Sequence, residues 1–243
     1  VHNRLLVTQG MLAEYPLWVQ VRIRLERWWL KSLSHLVARY VVQTPSMATA
    51  LRTIVGDAAQ IMVSPCVPQE CMIPPTFDVT QKLYDFVYVA SGEAHKNHRR
   101  LLDAWVLLRE RGLTPSLALT VDPARDPELS AYIAQVVRES GIACVNLGAI
   151  ARDEVMALYR AAKAMVYPSW TESFGMPLLE AAAVGLPTLA PELDYVRDVV
   201  VPVEVFDPHS ALSIARAVER FLGRGEQPVA VMSGTEFVAA VTA

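Results

Sequence analysis

The chain is expected to fold as an α/β protein built on a doubly wound parallel sheet. From Ser91 to Leu222, short apolar runs alternate with longer amphipathic ones. The short runs are rich in β-branched and aromatic residues, as strands buried on both faces are. Strand and helix alternating in short repeats make a parallel sheet covered by helices. The chain has 243 residues, 53% of them hydrophobic, which suffices for one full domain and part of another.

The elements follow in chain order. "LWVQVRIRLERWWLKSLSHLVARYVVQT" opens as a basic amphipathic segment and runs into a short apolar strand, "YVVQT" (40–44). A helix is expected at 46–55. Four prolines, Pro65, Pro68, Pro74 and Pro75, then fix the backbone of an extended linker over 63–82. Beyond it the expected strands are "FVYVA" (86–90), "SLALTV" (116–121), "CVNLG" (144–148), "AMVYP" (164–168) and "PTLA" (187–190). Between and after them helices are expected at 97–112, 128–140, 152–162, 177–184 and 209–222. Asp126-Pro127 opens one of these, Gly112 and Gly141 close two, and Gly185-Leu-Pro187 closes another. The chain thus divides into a partial N-terminal domain (1–62), a linker (63–82), a complete α/β domain (83–222) and a tail (223–243) with no clear pattern.

Composition excludes several classes. A formal net charge of -3 and a pI near 6.0 do not describe a nucleic-acid binder. Cys66, Cys71 and Cys144 form an odd, sparse set without metal-finger spacing, which fits a reducing, cytoplasmic setting better than a disulfide scaffold. "VHNRLLVTQG" lacks the apolar core of a signal peptide, and no run reaches the length of a membrane span.

The chemistry is concentrated in "VYPSWTESFGMPLLEAAAVGLP", where Glu172 and Glu180 stand eight positions apart around a Phe-Gly-x-Pro turn. A strand ending near Tyr167-Pro168 delivers these residues to the carboxyl edge of the sheet, where open α/β folds bind ligands. Gly175 permits a tight or left-handed backbone, and Pro177 suits a first helical position. The amides of Gly175, Met176 and Leu178 would then form an anion site at a helix start. Glu180 is expected in that helix's first turn and Glu172 on the loop before it. Each carboxylate can accept two hydroxyl hydrogen bonds, which suits vicinal diols on ribose or a hexose. A plain structural reading has Glu180 serving the helix dipole and Glu172 solvated. The sheet-edge location and the turn favour the chemical one.

This segment resembles the donor-site signature of retaining glycosyltransferases of the GT-B fold, in the large "group 1" family with the E-x7-E motif. The resemblance covers about residues 40–222 and is most specific over 146–190. In particular it is similar to bacterial enzymes that build O-antigen, capsule and other surface polysaccharides. It implies a doubly wound donor-binding domain over 83–222 beside a partial acceptor-side domain. The reaction implied moves a sugar from a UDP- or GDP-linked nucleotide sugar to a glycan or polyprenyl-linked acceptor, with retention. By position, Glu180 would bind the ribose and Glu172 the transferred sugar, while Ser173, Phe174, Gly175, Met176, Pro177 and Leu178 would hold the diphosphate and sugar. Gly148 and Ala149 would pack near the base. Lys96 would neutralise the departing diphosphate, a charge-stabilising role. Many relatives carry an arginine just after the first strand of this domain. This chain has Ala90-Ser91-Gly92-Glu93 there, leaving Ser91 as a weaker donor and His95 at another position where arginine is frequent. Arg99 and Arg100 are less suited to compensate. His2, in "VHN", matches a family histidine near the reacting centre.

No cofactor or metal is expected, since the chain lacks the D-x-D motif of metal-bridged diphosphate binding. The basic stretch around Arg22, Arg24, Arg27 and Lys31, with Trp18, Trp28 and Trp29, could lie on an anionic membrane surface, the inner face of the cell membrane, or pack against protein. Rival functions are a sugar-nucleotide epimerase and a nucleotide-sugar binding module without turnover. A nicotinamide-dependent oxidoreductase is disfavoured by the missing G-x-G-x-x-G.

Overall fold

The computed structural model describes residues 3–7, 12, 15–65, 82–225 and 233–242. His2 and residues 66–81 of the expected linker lie outside the described residues.

The larger part is a six-stranded parallel sheet. Its strands are β3 (Tyr84–Tyr88), β4 (Leu117–Leu119), β5 (Cys144–Asn146), β6 (Ala162–Val166), β7 (Thr188–Pro191) and β8 (Glu204–Phe206), in the order β5-β4-β3-β6-β7-β8. The helices between and after them are α3 (His98–Glu110), α4 (Pro127–Ser140), α5 (Arg152–Ala161), α6 (Met176–Ala183), the short α7 (Asp194–Arg197) and α8 (Ala211–Phe221). The sheet is parallel because every crossover between neighbouring strands is long enough to carry the chain back over a face. Phe86, Val87 and Tyr88 on β3 and Ala164, Met165 and Val166 on β6 are fully buried, as strands covered on both faces must be. Leu101, Leu102, Trp105 and Leu108 of α3 close one side of the core, and Trp105 donates its indole N–H to the Pro115 carbonyl at 2.8 Å.

The smaller part joins β1 (Tyr40–Val42) and β2 (Ile61–Val63) in a parallel pair covered by α2 (Pro45–Val55). Thr44 caps α2, its hydroxyl accepting the Met47 amide at 3.2 Å. The long α1 (Leu17–Ser32) buries only Val19 and Ile23, against Leu5, Leu6, Leu12 and Tyr15.

Several sequence expectations are corrected. The first strand of the large sheet spans Tyr84–Tyr88 rather than 86–90, since Val89 and Ala90 already leave the sheet toward the loop. Strands β2 and β8 and the short α7 were not expected. β8 carries Glu204, ion-paired with Arg220 at 2.7 Å, and so reads as too polar for a strand. The tail after Gly223 contains a helix, α9 (Gly234–Thr242). Met176, not Pro177, is the first residue of α6, and Glu180 therefore stands in its second turn.

Strand order reverses between β3 and β6: successive strands step one way from β3 and the other way from β6. The loops after these two strands, 89–97 and 167–175, flank the crevice at this switch point. Such crevices are where open α/β sheets receive ligands.

Candidate functional site

The loop after β3 is held from below. Tyr88 donates its hydroxyl to the Lys96 carbonyl at 2.8 Å. Asn97 follows in the left-handed region (φ 62°, ψ 31°) and is buried. Its side-chain amide donates to the carbonyls of Pro168 at 3.1 Å and Pro208 at 2.7 Å. One residue thus ties the loops after β6 and β8 to the start of α3, and it fixes where Lys96 emerges.

Lys96 meets Glu172, Nζ to Oε1 at 2.7 Å, with both side chains largely buried. The same carboxylate oxygen accepts from Tyr167 at 2.9 Å and from Ser169 at 2.6 Å. A buried charge needs such compensation, because desolvation otherwise outweighs pairing. Burial first, and the nearby Glu172 charge second, push the Tyr88 and Tyr167 phenols well above their ordinary pKa. Both therefore remain protonated; Tyr167 stays a hydrogen-bond donor to Glu172.

The ion pair stands between two hollows. One, of about 270 Å³, is lined by Glu172, Ser173, His95, Arg4 and Tyr15 among others. The other, of about 390 Å³, is lined by Lys96, Ser91, Ala149, Ile150 and Pro177, with residues following β4. The first is closed by the N-terminal residues. The Arg4 amide donates to Ser173 Oγ at 3.1 Å, and its guanidinium to the Glu172 carbonyl at 3.3 Å and to Ser46 Oγ at 3.2 Å. The Ser46 amide in turn donates to Asp198 at 2.9 Å. Tyr15 Oη lies 2.8 Å from His95 Nδ1. Burial lowers the pKa of His95 and keeps its ring neutral, with the Glu172 charge acting in the opposite sense. His2 lies outside the described residues; its neighbour Asn3 lines this hollow.

Glu180 is not joined to Glu172. It is buried, accepting from Tyr159 at 3.2 Å and pairing with Arg152 at 3.2 Å, both on α5. At the start of α6, Gly175 has φ 80°, and a Cβ there would meet Leu178 Cδ1 at 3.0 Å. Phe174 and Leu178 are buried. The Leu178 amide is taken by the Gly175 carbonyl at 2.9 Å, so the open end of the helix rests on Gly175 and Met176. Gly148, at φ 74°, donates to Asn146 Oδ1 at 3.3 Å. Asn146 also bonds both the amide and the carbonyl of Val121 at 2.9 Å, which locks the loops after β4 and β5 together.

Ser91 does not face the hollow as an isolated donor: its hydroxyl bonds the Glu93 carboxylate, which also pairs with Arg125 at 2.6 Å. Arg99 lies 4.1 Å over the Tyr132 ring, and Arg100 donates to the His209 carbonyl at 2.6 Å, so both are engaged away from this cleft. Among the described residues no group of three or more His, Cys, Asp and Glu side chains could hold a metal ion.

Sequence reasoning missed Arg4, Tyr15, Arg152 and Tyr159. Tyr167 and Ser169 lie inside the motif and could have been read as partners of Glu172. Arg4 and Tyr15 reach the site only through the fold and leave no spacing signal.

A family model described as "Glycosyl transferases group 1" matches residues 75–232. The O-antigen chain mannosyltransferase B of Escherichia coli is 31% identical over 137 residues, which is 55% of this chain and 35% of that protein. A D-inositol 3-phosphate glycosyltransferase of Streptomyces bingchenggensis is 41% identical over 63 residues, 26% of this chain and 13% of its own length. The chain thus spans about a third or less of these curated relatives. Among solved structures, sucrose-phosphate synthase from Thermosynechococcus elongatus superposes with a TM-score of 0.71 at 22% identity, covering 91% of this chain and 57% of that one. Anabaena HepE, solved with UDP and glucose, gives a TM-score of 0.62 at 15% identity, covering 88% of this chain and 60% of that one.

Proposed function

The chain belongs to the group 1 glycosyl transferase family and has the α/β architecture of GT-B enzymes, and from that premise we propose that it moves a hexosyl group from a nucleotide diphosphate sugar to a glycan or polyprenyl-linked acceptor with retention. Residues 83–222 receive the donor and residues 1–62 contribute to the acceptor side. The observation that carries the reading is the Lys96–Glu172 pair at the sheet's switch point, flanked by the open end of α6.

The donor diphosphate rests on the Gly175 and Met176 amides and on Lys96. Lys96 transfers part of its pairing from Glu172 to the phosphate as charge develops there. Glu172 then accepts from hydroxyls of the transferred sugar, and Glu180 from the ribose. The anomeric carbon–phosphate oxygen bond breaks as the bond to the acceptor oxygen forms on the same face. The acceptor's proton passes to the departing phosphate. Cation and helix amides take the place of a metal, so turnover is expected to be unaffected by EDTA. The reaction belongs at the cytoplasmic face of the membrane. No helix among the described residues is long and apolar enough to cross one.

Calorimetric titration with UDP, GDP and their common sugar conjugates tests the donor site. Binding of at least one is expected, weakened about tenfold or more by Glu180→Gln. Lys96→Ala should lower kcat about 10²–10³-fold, the usual loss of a charge-stabilising donor. Proton NMR of the glycosidic product checks retention directly. Binding without any transfer would favour the binding module over the enzyme.

A further inference from the structure

The larger hollow is asymmetric. From Lys96 and Pro177 it extends toward the ends of β4 and β5, where it is lined by Thr120, Asp122, Arg125, Asp126, Ala149 and Ile150. A nucleoside diphosphate with its phosphates at the start of α6, above β3 and β6, therefore places its base at this end. Its walls are apolar at Val89, Ala90, Ile150 and Val155, fit to receive the faces of a ring, and polar at Asp122 and Arg125.

These two side chains are held in place. Asp122 Oδ1 accepts the Ala124 amide at 2.9 Å. Arg125 is held by Glu93 at 2.6 Å through one terminal nitrogen. Asp126 accepts the Gly92 amide at 3.0 Å and so fixes the loop after β4 to the loop after β3. Base-edge chemistry then discriminates. Uracil offers carbonyl acceptors and a single N–H, so a carboxylate would face lone pairs over much of its edge. Adenine and cytosine each offer one amino group and no ring N–H on their pairing edge. Guanine sets N1–H and the 2-amino group side by side, a pair that a carboxylate accepts in parallel, and its O6 and N7 suit a guanidinium.

We infer that the cleft takes a guanosine diphosphate sugar, with Asp122 accepting from the N1–H and 2-amino groups and Arg125 donating to O6 and N7. This rests on the donor-cleft reading above and names its base. The test is calorimetric titration of the whole chain with GDP, inosine diphosphate, ADP, CDP and UDP at fixed salt, repeated with Asp122→Asn and Arg125→Gln. GDP should bind tightest, and inosine diphosphate, which lacks only the 2-amino group, about tenfold more weakly. In Asp122→Asn the two should converge, with UDP unchanged and the melting temperature retained. Arg125→Gln should weaken GDP and inosine diphosphate alike, since both carry O6 and N7, and spare UDP. A preference for UDP, CDP or ADP overturns the inference, as does a GDP-to-inosine ratio unchanged in Asp122→Asn. If UDP wins and its binding still depends on Glu180, the donor cleft stands and only the guanine assignment falls. If none of the five binds, the donor-cleft reading fails and this inference with it.

Discussion

His98 shows how a single side chain can set the acid limit of the fold. It opens α3, lies 4.9 Å from the Tyr88 ring and is buried, and among the described residues neither ring nitrogen has a hydrogen-bond partner. Burial, with the Lys96 charge second, pushes its pKa down to about 3. The unfolded chain therefore binds a proton that the folded chain refuses between about pH 6.5 and 3. Stability is full above that window and falls as pH drops through it. His98→Phe should flatten this part of the pH–stability curve. It should also stabilise the protein at neutral pH by about 1–3 kcal/mol, since two unsatisfied buried atoms disappear; chemical denaturation at several pH values measures both effects. At this scale the sequence was legible where residues share a motif. Lys96 could be read from its place before a helix and Glu172 from the Phe-Gly-x-Pro turn, and the fold brings them to 2.7 Å. The partners of Glu180 were not legible: Arg152 and Tyr159 sit on a separate helix, at no periodic distance from it.

Among elements, the start of α3 is set by a residue that breaks the local rule. A left-handed non-glycine is uncommon and costs energy, and it persists where the surroundings over-determine it. Here the two carbonyls that bind Asn97 come from the loops after β6 and β8. Asn97→Ala would leave both buried acceptors unpaired and remove the residue type that tolerates this backbone. A loss of about 2–3 kcal/mol is expected in thermal or denaturant unfolding, and kcat should fall further than the stability change explains, because Lys96 is the preceding residue. Asn97→Gly should restore little, since it mends the backbone but not the two hydrogen bonds. The long amphipathic helices were readable to within a residue or two, as their apolar faces repeat with the helical period. Three-residue strands such as β2 and β8 carry too few positions for any period to declare itself. They exist because a neighbouring strand offers its edge.

At the scale of the molecule, the polar contacts that join the two parts among the described residues include Arg4 with Ser173 and Glu172, Tyr15 with His95, and Ser46 with Asp198. The smaller part was the less legible, because its elements bury little of what their patterns offer. On α1 the side chains of Trp18, Leu25, Trp28 and Trp29 are more than half exposed, and Arg22 lies 5.8 Å from the Trp18 ring. A face of this kind, aromatic beside basic, suits an anionic bilayer surface. The chain should co-sediment with phosphatidylglycerol-containing vesicles but not with phosphatidylcholine alone. That binding should weaken with salt and be lost on replacing the three tryptophans with serine. Vesicle-independent behaviour would assign the face to protein packing instead. The order of the large sheet carries a different consequence, one that concerns the making of the protein. β3 pairs on one side with β4, which follows it closely, and on the other with β6, in the register Tyr84↔Ala162 to Val87↔Met165. A chain emerging from the ribosome can form the first pairing early, while the other edge of this central strand waits until Met165 has been synthesised. Translation pauses between β5 and β6 would prolong the life of that open edge, and with it the period in which nascent chains can associate with one another.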